Sequence, residues 1–89
     1  MRSYLLAFDL DASGKDHAQL TEAIKKFPFS WRHLDTVWIV KTDWTVKQVR
    51  DHVKPHLGTA GKLLVLELSG EGAWSGLNDE AVAWLIQNL

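Results

Sequence analysis

In the stretch FDLDASG, residues 8 to 14, two aspartates stand one residue apart at the end of an apolar run, with a serine and a glycine close behind. Carboxylates so placed suit three chemistries. Asp9 could accept a phosphoryl group while Asp11 handles a proton; Asp9, Asp11 and Ser13 could open a calcium loop; or Asp9 alone could hold a divalent metal at a strand end. The structural alternative is that Asp9 closes a strand and Asp11 or Ser13 caps the helix that follows. The calcium loop fails on its own pattern: Gly14 fits the sixth position, but the twelfth is Leu20 where a bidentate Glu is needed, and the flanking element reads as a strand.

Other reactive groups are sparse. There is no cysteine, which excludes disulfides, thiol nucleophiles and thiolate zinc sites and fits a reducing compartment. His52 and His56 are spaced i, i+4, but Pro55 lies between them and no third ligand is recognisable, so they read as a solvated helix face. His17 and His33 are isolated. The glycines between Ser69 and Gly76 lack the lysine and spacing of a phosphate loop.

The elements that must position Asp9 follow from the hydrophobic pattern. SYLLAFDL, residues 3 to 10, reads as a buried strand ending at Asp9. GKDHAQLTEAIKKF reads as a helix, with His17, Leu20, Ile24 and Phe27 at helical spacing and Pro28 as its stop. SWRHLDTVWIVKTD, residues 30 to 43, is strongly β-forming, with Asp35 as a turn or bulge: two strands, about 30–34 and 36–42, or one bent strand. Thr45 and Gln48 form a capping box before a helix that aligns Val46, Val49 and Val53 and ends near Pro55 to Gly58. KLLVLELS, residues 62 to 69, is a strand with Leu64, Leu66 and Leu68 on one side and Leu63, Val65 and Glu67 on the other. Asn78 caps a last helix whose predicted apolar stripe is Val82, Leu85, Ile86 and Leu89.

The order β-α-β-β-α-β plus a terminal helix predicts an α+β, ferredoxin-like antiparallel sheet with two helices on one face. With 89 residues, the chain holds one domain, 1–89, with a core over 3–69 and a C-terminal helical extension over 77–89. Strands one and four are apolar on both sides, so the second face of the sheet must be covered. A symmetric homodimer or the terminal helix would cover it. No apolar run is long enough to span a membrane and Met1-Arg2-Ser3 leads straight into a strand, so a cytoplasmic protein with no membrane partner is expected.

Net charge is −1, but residues 30 to 62 carry six Lys or Arg against three Asp, while residues 63 to 89 carry four acids and no Lys or Arg. That is a mildly basic middle, read either as solvated helix faces or as a phosphate-binding patch. Five tryptophans in so small a chain cannot all be fully buried. Those left at the surface suit a partner interface or a stacking platform.

FDLDAS looks like the first motif of the haloacid-dehalogenase phosphatases, but that fold needs a doubly wound parallel sheet and later motifs for which 89 residues leave no room. A better resemblance covers about residues 3 to 69. An apolar strand ending Phe8-Asp9-Leu10, the helix KDHAQLTEAIKKF, WRHLDTVWIVKTD with a Thr-capped helix after it, and KLLVLEL together resemble the CRISPR-associated protein two family and its stand-alone relatives, including VapD-type toxin nucleases. Thr36-Val37-Trp38 matches the family's hydroxyl, Val, aromatic pattern in the third strand.

The resemblance implies a ferredoxin-like homodimer in which the two copies of Asp9 hold Mg2+ or Mn2+ at the axis and cleave RNA or DNA. In the CRISPR setting, it implies a dimer that bridges an integrase-type protein and duplex DNA without cleavage of its own. Arg32 corresponds loosely to a basic residue of strand two in the family; Lys41 and Arg50 would be further phosphate contacts. The chain departs from the family in ending with a helix where many members place an extra strand, and in its charge, since duplex-binding members tend to be basic. Two readings result: a metal-dependent nuclease or nucleic-acid-associated dimer with Asp9 as its catalytic and metal-binding residue, or a non-catalytic dimeric interaction module in which Asp9 merely ends a strand. A small-molecule-binding regulatory domain is a third.

Overall fold

The computed structural model describes residues 1–9, 17–34, 36–58 and 61–89. It is an α+β fold with a four-stranded antiparallel sheet and three α-helices: β1 (Arg2–Asp9), α1 (His17–Lys25), β2 (Phe29–Leu34), β3 (Val37–Thr42), α2 (Val46–Val53), β4 (Lys62–Glu67) and α3 (Asp79–Asn88). A single 3-10 turn over Lys54–His56 follows α2, with Pro55 in it. The strands lie in the order β2-β3-β1-β4, and every neighbouring pair is antiparallel. The predicted caps at Asp11 and Ser13, the start of the first helical segment and the turn at Asp35 all fall outside the described residues.

Alternation in β1 sorts its side chains cleanly. Tyr4, Leu6 and Phe8 are buried on one face, while Leu5 and Ala7 are half-buried on the other. The first set joins Leu20, Ile24 and Phe27 from α1, Val49, Val53 and Leu57 from α2 and the segment behind it, and Trp38 and Val40 from β3 in the main core. Leu63 and Val65 of β4 pack against its edge. The predicted β-forming run contains two strands, β2 and β3, which pair antiparallel with a register irregularity between Trp31 and Leu34. Gly61 enters β4 so close to the preceding turn that a Cβ there would lie 2.4 Å from the Leu57 carbonyl oxygen.

Local capping accounts for the ends of two helices. Thr45 Oγ1 accepts from the Gln48 amide at 3.2 Å and Gln48 Oε1 accepts from the Thr45 amide at 2.8 Å. Both bonds satisfy amides that have no partner within α2. Thr45→Ala is expected to lower the stability by about 1 kcal/mol, measured by urea denaturation, with no change in the unfolding m-value. At α3, Asn78 Oδ1 accepts from the Ala81 amide at 2.8 Å, and Asp79 and Glu80 sit in the positive first turn.

α3 crosses the sheet face opposite α1 and α2. Ala81 and Leu85 pack against Trp31 and Ile39, with Leu68, Leu77, Trp84 and Leu89 around them. Trp31 Nε1 donates to the Ala81 carbonyl at 3.2 Å, and Ser3 Oγ donates to the Asn88 carbonyl at 2.6 Å. The terminal helix is therefore a cover for the β2-β3 side of this face. Its docking stripe differs from the predicted one: Ile86 is 70% exposed, and small Ala81 makes the close contact instead. Val46, predicted to align with Val49 and Val53, is exposed while those two are fully buried. Among the described residues no helix is long and apolar enough to cross a membrane.

Candidate functional site

Asp9 is the last residue of β1 and is exposed. Its strand parity puts it on the α3-bearing face with Leu5 and Ala7, beyond the reach of α3. Across the β1-β4 ladder it stands opposite Lys62. An open depression of about 290 Å³ lies here, lined by Asp9, Thr36, Lys62, Ala7, Leu63 and Leu64 among others. The Phe8 amide donates to the Thr36 carbonyl at 3.2 Å, which ties the start of β3 to the end of β1.

Among the described residues, one chain thus presents one carboxylate, one hydroxyl and one ammonium. Magnesium and manganese want several oxygen donors with carboxylates among them, and the Lys62 ammonium opposes added positive charge. The donor set that the described residues of a single chain bring here does not fit a divalent metal. Among the described residues there is no group of three or more His, Asp and Glu side chains placed to hold one.

The three basic residues predicted as phosphate contacts are dispersed. Arg32 lays its guanidinium 5.3 Å from the centre of the Trp38 ring, a cation–π contact at the edge of the main core. Lys41 donates to Asn88 Oδ1 at 3.4 Å, at the end of α3. It pairs with Ser3, six residues along β1 from Asp9, roughly 20 Å at about 3.3 Å per residue. Arg50 is exposed on α2 and bonds its neighbour Asp51 at 3.0 Å. None of the three lines the Asp9 depression. Of the Thr36-Val37-Trp38 pattern, Thr36 reaches that depression and Trp38 is buried in the core.

Two features escaped the sequence. Lys62 faces Asp9 only because β4 returns antiparallel beside β1 in this register, and no local signal encodes that pairing. His52, expected on a solvated face, instead belongs to an aromatic cluster. The rings of Phe27, Trp44 and His52 meet edge to face, with centroids 5.3 to 5.4 Å apart and interplanar angles of 75° to 80°. His52 Nε2 donates to the Ala23 carbonyl at 2.9 Å, which anchors α2 to α1. The spacing of aromatics along three separate segments carries no trace of this.

The remaining conspicuous surface is apolar. On the face shared with Asp9, Leu64 and Leu66 of β4 are 52% and 51% exposed. β4 is also an edge strand, so one side of its backbone has no partner in the sheet. Comparison of the chain with family models, with curated proteins and with solved structures finds no match.

Proposed function

We propose that this protein is a ferredoxin-like module, related to the CRISPR-associated protein two family, that works as a homodimer joined through the part of the sheet face α3 leaves open. The observation that carries this is the pair Leu64 and Leu66. Two large aliphatic side chains on one edge strand, half exposed and flanked by half-buried Leu5 and Ala7, form a surface that water disfavours and a two-fold partner would cover. Each β-α-β connection passes over one intervening strand, β1 to β2 across β3 and β3 to β4 across β1, which supports the ferredoxin-like reading. In this proposal the protein's primary role is to present a dimeric scaffold.

A second reading rests on the position of Asp9. Because it lies on the same face as the leucines, an axis through this surface near the end of β1 would bring two Asp9 carboxylates together, beside two Thr36 hydroxyls. Two carboxylates meet the minimum that the described residues of one chain do not. A divalent ion held there would supply charge neutralisation for phosphodiester cleavage of RNA or DNA.

The test is mass by sedimentation over a wide concentration range, together with cleavage of labelled single-stranded RNA and duplex DNA in Mg2+ or Mn2+ by wild type and Asp9→Asn. The expected mass is twice the 10.1 kDa of one chain. A monomer at every concentration defeats the proposal. Cleavage lost in Asp9→Asn while the dimer persists establishes the nuclease reading; equal or absent cleavage in both proteins removes it and leaves the scaffold.

A further inference from the structure

We propose that the cavity beside Phe27, Trp44 and His52 binds a nucleotide, either free or as an unpaired residue of a single strand, with its base against the Trp44 ring and its phosphate at Lys26. The cavity is about 420 Å³ and lies where the end of α1, the β3-α2 junction and α2 converge, at the Thr42 end of the sheet. Asp9 lies at the other end of β1. The site belongs wholly to one chain and does not depend on the dimer.

Three observations point to this ligand class. First, Trp44 is 40% exposed although a deep core lies directly beneath it, and its backbone is fixed on both sides. The Tyr4 hydroxyl donates to the Trp44 carbonyl at 2.7 Å, and the Trp44 amide donates to Thr42 Oγ1 at 3.2 Å. Second, the edge-to-face contacts with Phe27 and His52 hold the indole in place, so a flat ring meets a preorganised platform. Third, the rim carries exposed Lys26 and Asp43. Lys26 has no ion-pair partner among the described residues, so it is available to a phosphate, while Asp43, with one carboxylate oxygen 3.6 Å from the Met1 ammonium, is exposed enough to accept also from an exocyclic amine of a base. An organic cation, the other usual guest of aromatic pockets, is opposed by Lys26.

The experiment is a titration with adenosine 5′-monophosphate, read by the nitrogen-edited NMR signal of the Trp44 indole, which is identified by its loss in Trp44→Phe. The expected result is a saturable shift of that signal. Trp44→Ala, which lacks that indole and is therefore followed by the backbone amide of Asp43 at the same rim, should bind about tenfold more weakly or worse, the usual weight of one base-stacking aromatic. Lys26→Gln alters an exposed side chain and leaves the fold intact; it should weaken the monophosphate severalfold and leave adenosine unchanged. A short single-stranded oligonucleotide that competes more strongly than the monophosphate assigns the site to a strand, and one that competes less strongly assigns it to the free nucleotide. No shift with either probe, affinity indifferent to both substitutions, or displacement by tetramethylammonium at equal concentration overturns the assignment. None of these results alters the dimer mass, so the two proposals fail separately.

Discussion

Leu66→Asp is expected to leave the chain folded and to weaken the proposed self-association, raising the dimer dissociation constant by about a hundredfold or more. Leu66 is already half exposed, so in the isolated chain the substitution removes little buried surface and shifts stability by roughly 0.5 kcal/mol. Across a two-fold axis, the same change is made twice. Each carboxylate would have to leave water to face an apolar surface, and a buried unpaired charge costs several kcal/mol; every 1.4 kcal/mol is about a factor of ten in affinity. Sedimentation equilibrium reads the association and a thermal melt reads the fold. A dimer as tight as wild type would exclude Leu66 from the interface and with it the proposed face; an unfolded variant would be replaced by Leu64→Lys, at the second exposed position of the same strand.

Trp31→Ala is expected to have the largest effect on stability, a loss of about 3–5 kcal/mol. Trp31 is buried between the sheet and α3, and its indole N–H is bonded to the Ala81 carbonyl. Removing the ring takes away the centre of the second core and frees the helix above it. For a chain of this size, the melting temperature should fall by on the order of 15 °C. The loss should be uneven. Amide exchange in α3 should accelerate well beyond that in α1 and α2, which pack on the other core. Trp31→Phe keeps most of the volume and loses the hydrogen bond, so it should cost only about 1 kcal/mol. Uniform acceleration across all three helices would show that the two cores unfold as one.

Much of this architecture could be read directly because its signals are local. The alternation in SYLLAFD, the β-rich run of residues 30 to 43 and the Thr45-Gln48 box each specify an element within a few residues, and each element is found where its signal lies. The docking stripe of α3 was misjudged for a physical reason. Hydropathy favours Ile86 over Ala81, but a helix approaching a buried indole needs a small residue at the crossing point, and only the fold reveals what it must approach. The site was still less legible. Asp9 was conspicuous as a strand-end carboxylate, yet its neighbours Lys62 and Thr36 are fixed by long-range register. Arg32 shows the converse: the resemblance singles it out as a phosphate contact, and only the pairing of β2 with β3 reveals that its guanidinium lies over the Trp38 ring.

The place of β1 in the sheet also governs the order in which the chain can acquire its structure. β1 lies between β3 and β4, with Tyr4 paired to Val40 on one side and to Glu67 on the other. The β2-β3 hairpin can close locally. β1 must instead meet β4, a distant segment, before its second edge is paired, and the Ser3 to Asn88 bond spans a separation of 85 residues. Non-local pairing of this kind slows folding, because distant segments must find each other before any contact repays the loss of chain freedom. Fragments cut short before β4 would therefore leave one edge of β1 unpaired and lose the packing of Leu63 and Val65 against the main core. Arrival of β4 is the event that closes this edge, and the apolar β1 strand stays unshielded there until then.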